Sequence, residues 1–213
     1  MTIKTINYSE TQQLWPDSGQ HILGYQNDNT IVVYQAYKNS IANFAVKNQV
    51  LGGSEFSYNR MSWIKPNFLW MMYRCGWAEK ENQERVIAIW INKSDFETIL
   101  DQAVVSSFNS KYYDSQDQWK QELGTKNVRL QWDPDHDPYG NKLTRRAIQL
   151  GLKGNMLEQF GKEQIRRIED VTDFVKEQKR YVDAGHLDKL MIPAESVFKP
   201  TNIALGAKIG IGQ

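Results

Sequence analysis

The chain has 213 residues, enough for one domain with a substantial buried core. Apolar residues make up 40% and charged residues 24%, proportions that exclude neither an enzyme nor a binding module but fit a globular protein. The formal net charge of +1 excludes a global basic field that would hold a long nucleic acid nonspecifically.

Cysteine content and hydropathy narrow the class of protein further. The single cysteine, Cys75, excludes an internal disulfide framework and a cysteine-based zinc site, and we expect it to be a small buried hydrophobe. No segment has the roughly 18 apolar residues of a membrane span, and the N-terminus lacks a signal-peptide pattern. We therefore expect a cytoplasmic protein without a membrane partner. Residues 1–200 are predicted to form a single globular domain, followed by a C-terminal tail over residues 201–213.

The first elements in chain order are a strand and two helices. Residues 30–37 combine β-branched and aromatic side chains, which predicts a central strand. A helix is predicted over about residues 39–49, with Asn39 or Ser40 as its cap. A second helix is predicted over about residues 66–74, since a proline at its start suits the first helical turn.

The middle of the chain continues this mixture of strands and helices. Residues 84–91 predict a second buried strand, and the spacing of Ser94 and Glu97 matches a capping box at the start of another helix. Residues 127–132 alternate as a strand and run into an acidic turn at residues 133–140.

The last third predicts one long helix between two strands. Residues 145–151 form a strand candidate, and apolar residues keep helical spacing from about residue 162 to residue 184. Residues 190–198 predict a short terminal strand. The predicted fold is therefore α+β, a single domain with a mixed, mostly antiparallel sheet flanked by helices.

Residues 60–77 are unusually rich in tryptophans and cations. Indole rings stack on flat groups, and guanidinium and ammonium groups meet phosphate or carboxylate, so this composition suits a flat anionic ligand. The apolar residues of the segment are equally typical of one side of a buried helix. The candidate ligand-binding residues are Arg60, Trp63, Lys65, Trp70, Arg74 and Trp132.

Three carboxylates and an imidazole lie close together in the acidic segment, at Asp133, Asp135, His136 and Asp137. Such groups can hold a hard divalent cation, but their spacing matches no loop with a strict ligand pattern. Prolines bracket the segment, and aspartate is a natural turn residue. We favour a solvated turn over a metal site.

Polar residues on predicted strands are the candidates for catalysis. No nucleotide-binding glycine loop, nucleophile elbow or zinc-protease helix occurs in the sequence. Gln35 and Tyr37 share one face of the first strand, while Tyr34 takes the other. Glu195 lies in an otherwise apolar predicted strand, where a carboxylate is costly unless it is paired or used. The predicted catalytic residues are Glu195, Gln35 and Tyr37; the alternative for Glu195 is a salt-bridged or exposed strand residue.

Six runs of the sequence carry a further signal, at residues 30–37, 60–74, 128–134, 146–152, 168–172 and 192–195. They resemble a microbial family catalogued as domain of unknown function 4291. The resemblance covers roughly residues 20 to 200 and implies no activity.

The layout also resembles, more weakly, that of ADP-ribosyltransferase-like domains. The resemblance implies a ribose-holding residue on the first strand, a middle region of Ser or Tyr that packs on nicotinamide, and a late glutamate that polarises a ribose hydroxyl. Gln35 and Glu195 occupy the first and last of these places. This chain departs from the pattern at Gln35, where those domains carry Arg or His, because glutamine supplies hydrogen bonds without charge.

Together these features predict a nucleotide-dependent transferase that moves ADP-ribose from NAD, the candidate cofactor, to an unidentified acceptor. One alternative is a module that binds or modifies RNA through a Trp, Arg and Lys cleft. Another is an enzyme acting on a small guanidino or peptide substrate, with Asp133, Asp135 and Glu195 as acid and base groups. The sequence leaves the oligomeric state open.

Overall fold

The computed structural model describes residues 1–212, apart from the side chain of Gln12. The chain forms an α+β domain, as the sequence predicted. The strands are β1 (Thr5–Asn7), β2 (Gly19–Gln20), β3 (Ile22–Gly24), β4 (Thr30–Tyr37), β5 (Ser62–Ile64), β6 (Arg85–Asn92), β7 (Ala103–Val105), β8 (Val128–His136), β9 (Lys142–Leu152), β10 (Ile165–Asp170), β11 (Met191–Pro193) and β12 (Ser196–Phe198). The α-helices are α1 (Tyr8–Leu14), α2 (Asn39–Asn48), α3 (Phe68–Cys75), α4 (Lys93–Asp101), α5 (Gln116–Thr125), α6 (Gly154–Gln159), α7 (Thr172–Asp183) and α8 (Ile203–Ile209).

One sheet consists of three antiparallel strands in the order β10, β6, β4. The central strand β6 is buried from Val86 to Ile91, which its run of β-branched residues favours. On β4, side chains alternate between the two faces, so that Gln35 and Tyr37 point the same way. This shared face becomes one wall of the candidate site.

The second sheet is larger and is built around the long strand β9; we call it the large sheet. Strand β8 pairs antiparallel with one edge of β9, and β7 pairs parallel with β8. The opposite edge of β9 holds the short strands β2 and β5. One face of this sheet is apolar and belongs to the core, while the other carries polar residues such as Gln131, Asp133 and Gln149.

Strand β5 and the residue after it connect the two sheets. Trp63 on β5 pairs with Gly151 on β9. Two residues further on, the backbone N–H and carbonyl of Lys65 both bond to Tyr34 on β4, with N···O distances of 3.2 and 2.7 Å. The polar face of the large sheet therefore meets the end of β4 at this junction.

Helix α3 packs beside the junction, against β4 and β8. Asn67 caps its N-terminus by accepting a hydrogen bond from the N–H of Trp70 at 2.7 Å. Gly76 ends it in the left-handed conformation, at φ 58°, which glycine adopts without strain. Cys75, at the last turn, is buried as expected.

The structure corrects the predicted long helix over residues 162–184. A short π-helix (Phe160–Gln164) is followed by β10, and only Thr172–Asp183 forms a regular α-helix. Ile165 and Ile168 pair with Ile91 and Ile89 of β6. Their helical spacing was misleading, because the open edge of β6 takes a third strand here.

The acidic turn at residues 133–140 is also corrected. Strand β8 continues through Asp133 and Asp135 to His136, paired with β9 across a register shift. Only the following residues turn, with Asp137 accepting from the N–H groups of Tyr139 and Asn141. Pairing along β9 keeps this polar segment extended despite Pro134.

Smaller corrections concern the helix caps and the terminal strand. The N-caps of α2 and α4 are Lys38 and Asn92, neither with a side-chain cap bond, so the predicted caps and the capping box do not form. The predicted terminal strand is two strands, β11 and β12, and Glu195 lies in the bend between them.

Residues 201–212, which the sequence set apart as a tail, contain α8. Leu205 and Ile209 are buried in the main core, and the backbone carbonyl of Ile209 accepts from the indole N–H of Trp132. Gln213 lies outside the described residues. Within residues 1–212, no helix combines the length and apolar character that a membrane crossing needs.

Candidate functional site

A cavity of about 540 Å³ lies at the junction of the two sheets. Strands β4 and β5 form one wall, α3 forms another, and the polar face of β8 and β9 closes a third side. Its lining residues are Gln35, Ala36, Tyr37, Arg60, Met61, Ser62, Trp63, Lys65, Met71, Arg74, Gln83, Gln131 and Gln149. We call this space the junction cavity.

The junction cavity brings together six of the nine residues that the sequence proposed for the site. These are Gln35, Tyr37, Arg60, Trp63, Lys65 and Arg74. Trp70, Trp132 and Glu195 are not among its lining residues. The segment around residues 60–74 does therefore contribute to a concave surface, and only part of it is buried helix.

A hydrogen-bond cluster fixes the wall formed by β4 and β5. The Gln35 side-chain amide donates to Ser62 Oγ at 2.7 Å and to the Trp63 carbonyl at 3.2 Å. The hydroxyls of Tyr37 and Ser62 lie 3.0 Å apart. Burial raises the pKa of Tyr37 above its usual range, so its phenol stays protonated.

The second polar atom of the Gln35 side chain lacks a hydrogen-bond donor among the described residues. Its side chain is 3% exposed, and its carbonyl oxygen Oε1 has no hydrogen-bond partner among the described residues. A buried acceptor without a donor costs about 1–3 kcal/mol. Gln35 lines the junction cavity but Oε1 itself is buried, so a ligand hydroxyl or N–H supplies the missing donor only if the side chain turns toward the cavity.

Lys65 is a buried cation without an ionic partner. It is 4% exposed and makes no ion pair with any described residue. Its amine has a long contact of 3.5 Å with the Trp63 carbonyl and lies 6.0 Å from the Trp70 ring centre. Burial, reinforced by the charge of Arg74, lowers the pKa of Lys65 from 10.5 to about 8.

Two exposed arginines complete a cationic lining. Arg60 comes from the loop before β5 and Arg74 from the last turn of α3, and neither has an ion-pair partner among the described residues. No aspartate or glutamate lines the junction cavity. Asp133 acts on Lys65 electrostatically, but its carboxylate accepts from Gln149 and lines a neighbouring cavity instead. The junction cavity therefore attracts anions.

Trp63 supplies a flat apolar surface within this cationic lining. Its ring lies against β9 at Gly151, where an added Cβ would come within 3.0 Å of the indole and 2.6 Å of Met61 Sδ. Glycine at position 151 thus allows the indole to approach the strand closely. The ring is held against the sheet and part of it remains accessible.

Sequence reasoning missed the amides on the large sheet. Gln131 and Gln149 are directly paired across β8 and β9, and the Gln149 amide donates to Gln131 Oε1 at 2.7 Å. Each alternates with apolar neighbours on its strand, which was a detectable signal of an opposite polar face. Their meeting depends on strand register, which the sequence did not provide.

Trp70 and Trp132 have different surroundings from Trp63. Trp70 is 5% exposed on α3, its indole N–H has no partner among the described residues, and its ring lies 5.8 Å from that of His136. Trp132 donates from its indole N–H to the carbonyl of Ile209 at 2.7 Å. It lines a neighbouring cavity of about 330 Å³ that shares Gln131 with the junction cavity.

Glu195 lies at the N-terminus of α3 and is 4% exposed. Its carboxylate accepts from the N–H of Phe68 at 2.6 Å and from the side chain of Asn67 at 3.1 Å. Burial raises the pKa of Glu195 well above its ordinary value, although the Phe68 N–H opposes this shift. The contacts give Glu195 a structural role in holding α3, while its catalytic role stays a prediction.

Asp135 and Arg145 form a buried ion pair near Glu195. Two guanidinium nitrogens of Arg145 donate to Asp135 Oδ2 at 2.8 and 2.6 Å, and the third reaches the carbonyl of Pro16. Burial raises the pKa of Asp135, and Arg145 opposes that shift. We call Glu195, Asp135 and Arg145 the buried ion cluster; every charge in it has a hydrogen-bond partner.

The acidic segment does not gather into a metal site within the described part of the chain, where no group of three or more His, Cys, Asp or Glu residues could hold an ion. Asp135 is bound by Arg145, and Asp133 by Gln149. His136 stacks on Tyr73 with ring centres 3.5 Å apart, and burial lowers its pKa.

The family of this chain follows from its match to a family model. A family model described as Domain of unknown function (DUF4291) matches residues 21–198. The chain belongs to this family, which confirms the resemblance noted in the sequence. The match includes every residue that lines the junction cavity. Among curated proteins, none matches this chain significantly.

Proposed function

We propose that this protein is a nucleotide-dependent transferase whose junction cavity binds the nucleotide. The observation that carries the proposal is a cavity lined by three cations and no carboxylate. Arg60, Lys65 and Arg74 would neutralise a pyrophosphate, since unpaired cations bind phosphate through charge-assisted hydrogen bonds. Trp63 would stack on a base or nicotinamide.

The uncharged residues of the cavity suit the sugar of a nucleotide. Gln35 offers an unpaired acceptor to a ribose hydroxyl, and Gln131 and Gln149 provide amides on the facing sheet. NAD, as a donor of ADP-ribose to an unidentified acceptor, is the first nucleotide to test. In this proposal Gln35 and Tyr37 contact the substrate, whereas Glu195 supports α3 from outside the cavity lining.

Binding measurements with paired variants test the proposal. Isothermal titration calorimetry should show NAD or ADP-ribose binding that weakens roughly 10- to 100-fold in Arg74→Ala, as expected for loss of one hydrogen bond to a charged group. Arg166→Ala is the matched control, because Arg166 is 51% exposed and pairs with Asp95 rather than lining the cavity. Nicotinamide release from NAD should accompany binding, with water taking the ADP-ribose in place of the unidentified acceptor.

No heat and no thermal shift with any of NAD, ADP-ribose, ATP and GTP would overturn the nucleotide proposal. Equal affinities in Arg74→Ala and the wild type would overturn the assignment of the cavity. Nucleotide binding without nicotinamide release would sustain a nucleotide site and reject NAD as the donor.

RNA binding is a second candidate, favoured by the two adjoining cavities. The junction cavity contains Trp63, the neighbouring cavity contains Trp132 and Arg146, and Gln131 borders both. A single strand lying across them could stack one base on each indole, worth about 1–3 kcal/mol per base. Affinity for a short single-stranded RNA should then fall with salt and in Trp132→Ala. The third hypothesis was a small guanidino or peptide substrate, and the cationic lining disfavours its guanidino form in this cavity, since like charges repel.

A further inference from the structure

The side chains of Lys65 and Gln35 both approach the backbone carbonyl oxygen of Trp63. The Gln35 amide donates to the Trp63 carbonyl oxygen at 3.2 Å, and the Lys65 amine approaches the same oxygen at 3.5 Å. Both residues line the junction cavity and are at least nine-tenths buried. The Lys65 amine therefore lies at the same carbonyl oxygen as the amide nitrogen of Gln35, in the wall of the junction cavity.

The backbone of Lys65 is held on both sides, and its side chain is buried. Lys65 forms two backbone hydrogen bonds with Tyr34, and the next residue is Pro66, whose ring restricts the chain. Asn67 then caps the N-terminus of α3. A lysine held in this way loses little further freedom when it reacts with a bound molecule.

A buried lysine without a carboxylate partner is destabilising while it is charged. The exposed cations Arg60 and Arg74 in the same cavity are charged at any physiological pH and contribute to phosphate recognition in either protonation state of Lys65. Lys65 differs from them because its lowered pKa, about 8, leaves a substantial fraction of neutral amine. Neutral amines attack carbonyl carbon, and desolvation in an apolar pocket is a recognised way of activating lysine.

We propose that Lys65 is a nucleophile that forms an imine with the carbonyl carbon of a phosphorylated hydroxyaldehyde or hydroxyketone. The inference rests on the anion-binding role assigned to this cavity. The substrate phosphate lies at Arg60 and Arg74, and its hydroxyl group donates to Gln35 Oε1. The Lys65 nitrogen bonds to the carbonyl carbon, the oxygen takes up protons and leaves as water, and a C=N bond remains.

Reductive trapping tests this reaction directly. The full-length protein is incubated with ribose 5-phosphate or dihydroxyacetone phosphate and sodium cyanoborohydride, and adducts are located by intact-mass and peptide mass spectrometry. We expect one adduct on Lys65, formed faster as the pH rises to about 8. At pH 8 its neutral fraction is on the order of a hundredfold larger than that of a lysine with pKa 10.5.

Matched variants separate reaction at Lys65 from glycation of surface lysines. Lys65→Arg keeps the positive charge and should lose the adduct. Lys162→Arg should keep it, because Lys162 is 52% exposed and pairs with Glu158 away from the cavity. Inorganic pyrophosphate should slow trapping by occupying the anion site. Gln35→Leu should slow it for hydroxyl-bearing carbonyls but not for pyruvate.

The outcomes distinguish this inference from the nucleotide proposal. Adducts spread over surface lysines, or an undiminished adduct in Lys65→Arg, would overturn the imine. If Lys65→Arg still binds nucleotides while the wild type forms no adduct, the nucleotide site stands and the imine fails. Specific trapping at Lys65 without nucleotide binding would support the imine and reject the nucleotide.

Discussion

The junction cavity and the buried ion cluster both adjoin α3, and both contain buried ionisable groups. In the buried ion cluster, Arg145 pairs with Asp135 at 2.6 Å, and Glu195 accepts from the N-terminus of α3. In the junction cavity, Lys65 is as deeply buried but has no ion-pair partner among the described residues. Paired charges position the fold, whereas the unpaired charge is available to a ligand.

This difference has an energetic basis. Burying a charge costs several kcal/mol unless hydrogen bonds and an opposite charge compensate for the lost water. Arg145 and Asp135 compensate each other within the chain. Lys65 is compensated only when its pKa falls, as it does here, or when an anion enters the cavity. The contrast leads to three predictions about variants.

Breaking the buried ion cluster should have the largest effect. Arg145→Met leaves Asp135 buried without its cation, so the free energy of unfolding should fall by about 3–5 kcal/mol in urea titrations. Lys162→Met is the control: it breaks an exposed pair with Glu158, and such pairs contribute about 0.3–0.5 kcal/mol. A loss of under about 1 kcal/mol in Arg145→Met would contradict the structural role of the cluster.

Replacing Lys65 with an uncharged residue should raise the free energy of unfolding, and the size of this gain should depend on pH. The folded pKa of Lys65 is about 8 and that of an ordinary lysine is 10.5, so the unfolded chain binds more protons between these values. Wild-type stability should therefore gain from this group as pH rises from 8 to 10.5. Below pH 8 the full cost of burying the charged Lys65 amine remains, on the order of 3 kcal/mol.

Lys65→Met should consequently be more stable than the wild type at pH 7, and the difference should shrink by pH 10. Urea titrations at both values measure it, with Lys162→Met as the control that lacks this pH dependence. The same variant should lose affinity for nucleotides. A Lys65→Met protein less stable than the wild type at pH 7 would show that the amine has a compensating partner and belongs with the structural charges.

Substituting Glu195 should have the smallest effect on ligand binding. Glu195→Gln keeps an oxygen that can accept from Phe68, so we expect a stability change of about 1 kcal/mol. Nucleotide affinity should stay within about twofold, since Glu195 does not line the junction cavity. If binding and folding persist while NAD cleavage disappears, the catalytic prediction for Glu195 is correct and its placement outside the site is overturned.

Local patterns in the sequence identified much of the fold and part of the site. The strands β4 and β6 and the helix α3 were found because their composition and end signals agree with their tertiary setting. The segment around residues 60–74 was predicted to form a ligand cleft because its cations and indoles lie close in sequence, and part of it lines the junction cavity. Gln131 and Gln149 were missed, because their meeting depends on the register of β8 against β9.

The sequence by itself determined the fold class, the family and the chemistry available in residues 60–74, all of which depend on residue type and near neighbours. Only the tertiary structure decided that residues 165–170 form a strand, because the open edge of β6 outweighs their helical spacing. It also decided which ionisable side chains have partners, because these lie far apart in the chain. Glu195 accepts hydrogen bonds from Asn67 and Phe68, whereas Lys65 has no ion-pair partner among the described residues and lines the junction cavity.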